Sequence, residues 1–325
     1  MSKRLFITGA TGFIGSHLAE IFVEKGYNVV AYDRYNPNNH RGWLEDSDYI
    51  DDIEVILGDV RDYDSVFKAI KGCGAVFHLA ALIGIPYSYV SPLAYIRTNV
   101  EGTYNVLEAA KNLELQQVLI TSTSETYGTA QYTPIDEEHP LVGQSPYAAS
   151  KISADQLALS YYRSFDLPVK IIRPFNTYGP RQSARAVIPT IITQGLNGSK
   201  ELTLGNLEPT RDLTFVRDTC SAFVEIYRND TFLGEVTNVG MNSEVSIGDL
   251  ARKILKIMDI DLPITSDQKR VRPGKSEVER LLCNNKKLLN NSSWEPEYSL
   301  KSGLKETINW FQENGRLSKS ELYHI

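Results

Sequence analysis

A tyrosine and a lysine stand four residues apart in the segment SPYAASK, as Tyr147 and Lys151. The pattern after Pro146 predicts a helix, on which residues at this spacing share one face about one turn apart. A phenol with a pKa of about 10 is a poor base at neutral pH, but a neighbouring ammonium lowers that pKa. We therefore expect Tyr147 to exchange a proton with a substrate hydroxyl while a hydride leaves the same carbon. The alternative is an exposed tyrosine and lysine, because this spacing is common by chance.

A glycine-rich turn near the start of the chain is the second candidate site. Gly9, Gly12 and Gly15 follow an apolar run at residues 4–8 and open a predicted helix, in TGATGFIGSHL. Glycines in this context let backbone N–H groups and the helix N-terminus approach a pyrophosphate. The strand-turn-helix setting therefore predicts a dinucleotide site.

Asp33 and Arg34 end the second predicted strand and bear on the choice of dinucleotide. Asp33 can accept hydrogen bonds from the adenosine ribose hydroxyls, and its charge would repel a 2′-phosphate. Arg34 would suit that phosphate, so we expect NAD and keep NADP as the second alternative. Further residues expected to line the cofactor site are Phe13, Ile14, Asp59, Val60, Leu79, Ala80 and Ala81.

Short β-branched runs alternate with helical patterns over the first 175 residues. This alternation predicts right-handed βαβ units and a Rossmann-type, doubly wound parallel sheet of the α/β class. A late strand at 235–239 is expected to rejoin the sheet. We expect a dinucleotide-binding domain of residues 1–175 plus about 219–241, and a smaller C-terminal α/β lobe of residues 176–218 plus 242–325. The lobe would cover the carboxyl ends of the strands, where open α/β sheets bind ligands.

Composition narrows the class of protein. The chain has 325 residues with 42% hydrophobic and 23% charged, as in ordinary globular proteins. A net charge of -6 disfavours nucleic-acid binding, which depends on basic surface. The cysteines Cys73, Cys220 and Cys283 lack CxxC spacing, so neither a metal site nor a disulfide framework is expected. Cysteines of this kind suit a reducing compartment, so we expect a cytoplasmic protein. No window approaches about 18 uninterrupted apolar residues, so we expect no membrane span.

The motifs together resemble the extended short-chain dehydrogenase/reductase family over nearly the whole chain. Six of them occur in the family's order: GxxGxxG, HLAA, TNVEGTYNVLEAA, YxxxK, RPFNTYGPR and RDLTFVRD. The resemblance implies that Thr123 hydrogen-bonds the sugar O4 beside Tyr147, and that Asn99 and Lys151 support the proton path.

The resemblance also implies a homodimer. Its interface would be formed by the YxxxK helix and by a long helix at about 92–112. The apolar residues expected on the YxxxK helix are Leu157, Leu159, Tyr161 and Tyr162, although a core-facing helix would show the same pattern.

Glu125, in TSETYG, separates two branches of that family. Sugar 4-epimerases usually have a small or hydroxyl residue there, whereas 4,6-dehydratases have a glutamate. Once C4 of the sugar is a ketone, the C5 proton is acidic, and Glu125 could remove it as the C6 hydroxyl leaves. The TSE triplet resembles that of GDP-mannose dehydratases. The dTDP-glucose dehydratases have an aspartate where this chain has Ser124, so the acid for the leaving hydroxyl is either Glu125 or Ser124.

Longer matches that include loops, such as AALIGIPYSYVSP, resemble the 4,6-dehydratases of nucleotide-activated N-acetylglucosamine in legionaminic acid pathways. The expected substrate is UDP-N-acetylglucosamine, with the GDP sugar next. A UDP-sugar 4-epimerase and a non-catalytic NAD-binding protein are the alternatives. Residues expected to bind the nucleotide sugar are Pro86, Tyr87, Ser88, Thr123, Asn176, Arg181, Arg185, Val187, Arg211 and Arg272.

Overall fold

Seven parallel strands form the central sheet in the computed structural model, which describes residues 3–267, 270 and 273–314. The twelve strands are β1 (Arg4–Thr8), β2 (Asn28–Arg34), β3 (Ile53–Gly58), β4 (Ala75–His78), β5 (Gln117–Thr121), β6 (Val169–Pro174), β7 (Asn176–Tyr178), β8 (Leu202–Leu204), β9 (Thr210–Phe215), β10 (Val236–Val239), β11 (Glu244–Ser246) and β12 (Ile264–Ser266). The central sheet has the order β10-β6-β5-β4-β1-β2-β3. The predicted fold class is confirmed, and the late strand rejoins the sheet beside β6.

Helices cover both faces of this sheet. They are α1 (Phe13–Glu24), α2 (Tyr63–Ile70), α3 (Ile85–Val90), α4 (Pro92–Tyr95), α5 (Gly102–Asn112), α6 (Pro146–Phe165), α7 (Val187–Leu196), α8 (Val216–Arg228), α9 (Ile247–Met258), α10 (Lys286–Asn291) and α11 (Leu300–Glu313). Along β1, Leu5 and Ile7 join the core under α1 and α8, whereas Phe6 joins the core under α2, α5 and α6. Because both faces are buried, the strands are nearly continuous apolar runs.

The helical stretch at 92–112 is interrupted near its middle. The sequence predicts one helix there, but a π-helical segment, Ile96–Glu101, lies between α4 and α5. Such segments are rare and occur often at functional sites. This one carries Asn99, which is 1% exposed.

The C-terminal half adds two small sheets that sequence periodicity did not predict. β9 pairs in parallel with β7 and antiparallel with β11, and β12 pairs with β8. The buried carboxylate of Asp212 ties this region together, because it accepts backbone N–H groups of Met241, Ser243 and Cys283. Burial raises the pKa of Asp212 to about 6. The proposed division into two domains stays a prediction.

Other expectations concern what the chain lacks. The three cysteines are buried and unpaired. Within residues 3–267 and 273–314, we find no group of three side chains arranged to hold a metal ion. No helix in those ranges combines the length and apolar character needed to span a bilayer.

Candidate active site

The glycine-rich turn joins the end of β1 to α1 and packs against the end of β4. Gly9 has a φ of +68°, and a Cβ there would lie 2.9 Å from the backbone nitrogen of Ala80. A Cβ on Gly15 would lie 2.8 Å from Cα of Ala10 and would overlap the carbonyl oxygen of Gly9. The first turn of α1 contains no acidic residue. The turn therefore presents open backbone at a helix N-terminus, which fits the pyrophosphate of a dinucleotide.

Asp33, at the end of β2, is bound to the same turn. Its Oδ2 accepts the N–H of Thr11 at 3.0 Å and the Thr11 hydroxyl at 2.5 Å, and its Oδ1 accepts the N–H of Arg34 at 2.6 Å. The Arg34 side chain is exposed. Asp33 and the glycine turn thus form one unit, as a dinucleotide site requires. The sequence did not point to Thr11, because a threonine inside a glycine turn carries no distinguishing pattern.

The residues after β4 are held by buried polar contacts. The hydroxyl of Thr8 accepts the N–H groups of Leu79 and Ala80, each at 3.1 Å. His78 lies with Nδ1 2.8 Å from that hydroxyl, and burial lowers its pKa to about 3. The amide of Asn99 pairs with both backbone groups of Leu82 and donates to Ser150 on α6. These contacts join the cofactor-side loop to α6, with Asn99 as the link.

The other cofactor-site residues lie around the same unit. Phe13 and Ile14 open α1 and are partly buried against the core. Asp59 forms an ion pair with Arg61 at 2.5 Å, and the backbone oxygen of Val60 accepts the Asn105 amide at 2.9 Å. Ala81 is half-buried. Their contacts to a cofactor stay predictions.

Tyr147 and Lys151 are buried on α6 and face the end of β5. Tyr147 forms a side-chain hydrogen bond with Thr123, and Nζ of Lys151 donates to the carbonyl oxygen of Thr121 at 2.6 Å. Burial raises the pKa of Tyr147; the hydrogen bond with Thr123 opposes the rise, and the charge of Glu125 adds to it. The expectation of a lowered pKa is therefore wrong in this structure, because loss of solvent outweighs other effects. An exposed pair is excluded.

Glu125 lies in a short 3₁₀ helix, Ser124–Tyr127, next to these groups. The hydroxyl of Thr123 accepts the N–H of Glu125 at 3.3 Å and so caps the segment. Ser124 is 2% and Glu125 is 9% exposed. Within the described ranges, no hydrogen bond reaches the Glu125 carboxylate, so its oxygens are available to a substrate proton. The five predicted catalytic residues lie together.

A row of tyrosines leads from Tyr147 toward the surface. The ring of Tyr95 lies 6.2 Å from that of Tyr147 and 6.3 Å from that of Tyr87 (centroid distances). Tyr87 and Pro86 lie on α3, and Tyr87 is exposed. Ser88 is fully buried, and its hydroxyl donates to the carbonyl oxygen of Ile85. Of the three residues expected to bind substrate here, Tyr87 and Pro86 therefore present accessible surface, whereas the hydroxyl of Ser88 is bonded within its own helix.

Among the candidate anion-binding residues, Arg181 and Arg211 lie close to carboxylates, whereas Arg185 is exposed to solvent. Arg181 makes two contacts of 2.9 Å to the carboxylate of Glu20, and buried Arg211 lies 3.5 Å from Glu277. Arg185 is exposed, and its charge lowers the pKa of Tyr95, against a larger rise caused by burial. Oδ1 of Asn176 is buried without a partner in the part of the chain described. Val187 begins α7, and Arg272 lies outside the described residues.

The pair of helices predicted to form a dimer interface partly faces inward. Leu159 is 8% and Tyr161 is 6% exposed, and both belong to the core under α5 and α6. Leu157 and Tyr162 pack against the same core. The core-facing alternative therefore holds for these residues. The exposed apolar side chains of the two helices are Leu93, Ile96, Tyr104 and Phe165.

The chain is similar to known nucleotide-sugar enzymes over almost its full length. The family model for GDP-mannose 4,6 dehydratase matches residues 6–307. A UDP-N-acetyl-alpha-D-glucosaminuronate decarboxylase of Bacillus cytotoxicus is 33% identical over 323 residues, which cover 96% of this chain and 99% of the relative.

Solved structures show the same range of activities. A dTDP-glucose 4,6-dehydratase of Streptomyces venezuelae with NAD bound superposes with a TM-score of 0.87, 28% identity, and coverage of 98% of this chain and 100% of that one. A UDP-N-acetylglucosamine 4-epimerase of Methanobrevibacter ruminantium has a TM-score of 0.85, 30% identity, and coverage of 96% and 99%. The expectation of an NAD-type dinucleotide site agrees with the first of these structures.

Replacing Gly15 by alanine should abolish the open cradle. The new Cβ would overlap Gly9, so we expect Gly15→Ala to raise the Kd for NAD at least tenfold, about 1.4 kcal/mol. Calorimetric titration measures this directly. The control is Gly26→Ala, because Gly26 also has a positive φ, +77°, but faces open space. It should lose about 1 kcal/mol of folding stability and bind NAD normally; equal affinity of both variants would refute the cradle.

Proposed function

The chain belongs to the GDP-mannose 4,6-dehydratase family, and on that premise we propose that it is an NAD-dependent nucleotide-sugar 4,6-dehydratase. The observation that carries the proposal is the placement of Glu125 beside Tyr147, with a buried carboxylate that accepts no hydrogen bond from the described residues. An oxidation at C4 alone needs only a proton acceptor for the hydroxyl. A second base in the same pocket is required for a reaction in which C5 must also lose a proton.

The residues of the site supply the proton transfers. Thr123 and Tyr147 would hold the C4 hydroxyl, and Tyr147 would take its proton, helped by the charge of Lys151. When bound, NAD accepts a hydride at the start of the cycle and gives it back at the end. Glu125 would remove the C5 proton. The hydroxyl at C6 would leave as water with a proton from Glu125 or Ser124, and C5 would be reprotonated.

Asp33 and the glycine turn support NAD as the cofactor, since Asp33 faces the turn and Arg34 is exposed. For the substrate we propose UDP-N-acetylglucosamine, with GDP-N-acetylglucosamine second. The loop resemblance to legionaminic acid pathway enzymes supports the amino sugar. The side-chain N–H groups of Asn176 and the exposed guanidinium of Arg185 would donate to the nucleotide diphosphate.

The substrate assay should separate this proposal from its relatives' reactions. Purified protein is incubated separately with UDP-N-acetylglucosamine, its GDP analogue and UDP-N-acetylglucosaminuronate, and the sugars are analysed by mass spectrometry. We expect loss of water from the UDP amino sugar. Loss of carbon dioxide from the uronate instead would indicate a decarboxylase. An unchanged mass with inverted C4 would indicate an epimerase.

Glu125→Gln should block elimination while leaving the oxidation at C4 in place. Removal of a general base typically costs about 10²- to 10⁴-fold in rate. A rapidly quenched reaction should therefore contain 4-keto sugar that still carries its C6 hydroxyl. In Tyr147→Phe the oxidation itself should stall, so that species should be missing. Near wild-type dehydration by Glu125→Gln would mean that another group removes the C5 proton.

We propose a homodimer that buries the exposed apolar side chains on α4, the π-helical segment, α5 and α6. Leu93 is 58% exposed, so Leu93→Glu should leave the monomer folded and shift the light-scattering mass from dimer to monomer. Leu289→Glu is the matched control, because Leu289 is an exposed leucine on α10. A wild-type protein that is monomeric at micromolar concentration would contradict the proposal.

A further inference from the structure

A third polar residue continues the spacing of the catalytic helix. Asp155 follows Lys151 by four residues, as Lys151 follows Tyr147, so all three share one face of α6. Asp155 is fully buried. Its Oδ2 accepts the hydroxyl of Ser122 at 2.5 Å. The mechanism above gives this carboxylate no role, although the spacing in the sequence could have pointed to it.

The three side chains contact three consecutive residues at the end of β5. Lys151 binds the backbone oxygen of Thr121, Asp155 binds the hydroxyl of Ser122, and Tyr147 binds the hydroxyl of Thr123. Thr121 is the last residue of β5, so these contacts fix how α6 lies against the point where that strand ends. The contact at Ser122 therefore fixes where the next residues, including the Glu125 segment, begin.

Arg173, on the neighbouring strand β6, holds the other end of that segment. Its Nη2 donates to Oδ2 of Asp155 at 2.8 Å, and its guanidinium carbon lies 4.6 Å from the ring centroid of Tyr127. Tyr127 ends the 3₁₀ helix that carries Glu125, and its hydroxyl donates to Asn238 on β10 at 2.8 Å. The guanidinium lies over the ring in a cation–π arrangement. Glu125 is thus held between Ser122 and Tyr127, and both depend on the Asp155–Arg173 pair.

Asp155 also supplies a negative charge for the buried cations around it. Two buried cations, Lys151 and Arg173, lie near this single fully buried carboxylate. Other ionisable groups facing the cluster are Glu125 from the 3₁₀ helix, His78 from β4, Tyr127 and Tyr147, with Glu137 bound to the backbone of Asn238. His78 is neutral above its pKa of about 3. Burial lowers the pKa of Lys151, and Asp155 acts against that.

We propose that Asp155 is a positioning residue, which keeps Lys151 protonated and, through Ser122 and Arg173, fixes Glu125 in place for elimination. The proposal rests on the proposed dehydratase function for its second part only. Its first part, the charge coupling between Asp155 and Lys151, can be measured without any substrate.

The test uses the pH dependence of the full-length enzyme. Without its counter-charge, Lys151 should lose its proton at lower pH, so Asp155→Asn should move the alkaline limb of kcat down by about one pH unit or more. The rate at the optimum should fall about 10²-fold, because Glu125 is displaced. Arg173→Gln should move the alkaline limb of kcat to higher pH, because the charge of Asp155 then has Lys151 as its remaining cationic neighbour in this cluster. That opposite shift keeps the test decisive if Asp155→Asn folds poorly.

Thermal unfolding supplies a readout independent of activity. Where the folded pKa of a lysine lies below its unfolded pKa, the unfolded state binds more protons, so stability rises with pH within that window. In Asp155→Asn the pKa of Lys151 in the folded state should be lower than in the wild type, so the window begins at lower pH. The Tm of this variant, relative to that of the wild type, should therefore rise with pH. In the Lys151→Met background, Asp155→Asn should show no such pH dependence.

The control for a purely structural role is Asp218→Asn. Asp218 is a buried carboxylate on α8 that accepts the N–H groups of Glu297 and Tyr298. This variant should lower Tm and leave the alkaline limb unchanged. If Asp155→Asn behaves like Asp218→Asn, with an unshifted limb and no dependence on Lys151, the proposal is overturned. If the coupling appears but the wild type releases no dehydrated sugar, only the proposed function fails.

Discussion

Helix α6 lies against the end of strand β5 in one register, and the remaining parts of the site depend on that contact. Three polar side chains spaced by four residues meet Thr121, the last residue of β5, and the two residues that follow it. The parallel sheet makes this possible, because it brings the ends of β1, β4 and β5 to one edge. The glycine turn, the loop after β4 and the Glu125 segment all start there. Asn99 and Ser150 join the cofactor side to α6.

Burial disfavours the charged forms of the catalytic tyrosine and lysine. It raises the pKa of Tyr147 and lowers that of Lys151, so loss of solvent opposes both charged forms that proton transfer needs. Desolvation of an ion costs several kcal/mol, and the attraction of a nearby opposite charge is the interaction that offsets this cost. The charge of Asp155 acts in this way on Lys151, because it opposes the lowering of the Lys151 pKa by burial.

The sequence predicted most of the elements that obey simple local rules. The glycine turn, α6 and the late strand β10 lie where spacing and alternation placed them. The π-helical segment was missed because the residues around it follow an ordinary helical pattern. The small sheets were missed because they depend on long-range contacts such as those of Asp212.

Site residues were predictable to different degrees for a physical reason. Spacing predicted that Tyr147 and Lys151 share one face of a helix, and the family resemblance placed Thr123 and Glu125 beside them. The arginines are not constrained in this way. Arg181 itself has a φ of +68°. It pairs with Glu20 on α1, a partner about 160 residues away that no local pattern identifies. The direction of the pKa shift of Tyr147 also depended on burial, which sequence spacing does not contain.

The most direct test of the account is the source of the hydrogen at C5 of the product. The reaction with UDP-N-acetylglucosamine is run in D₂O, stopped early, and the released sugar is analysed by NMR. If Glu125 removes the C5 proton and C5 is later reprotonated from solvent, the 4-keto-6-deoxy sugar carries deuterium at C5, and Glu125→Gln forms almost none of it. A product that keeps its original hydrogen at C5 would contradict the account.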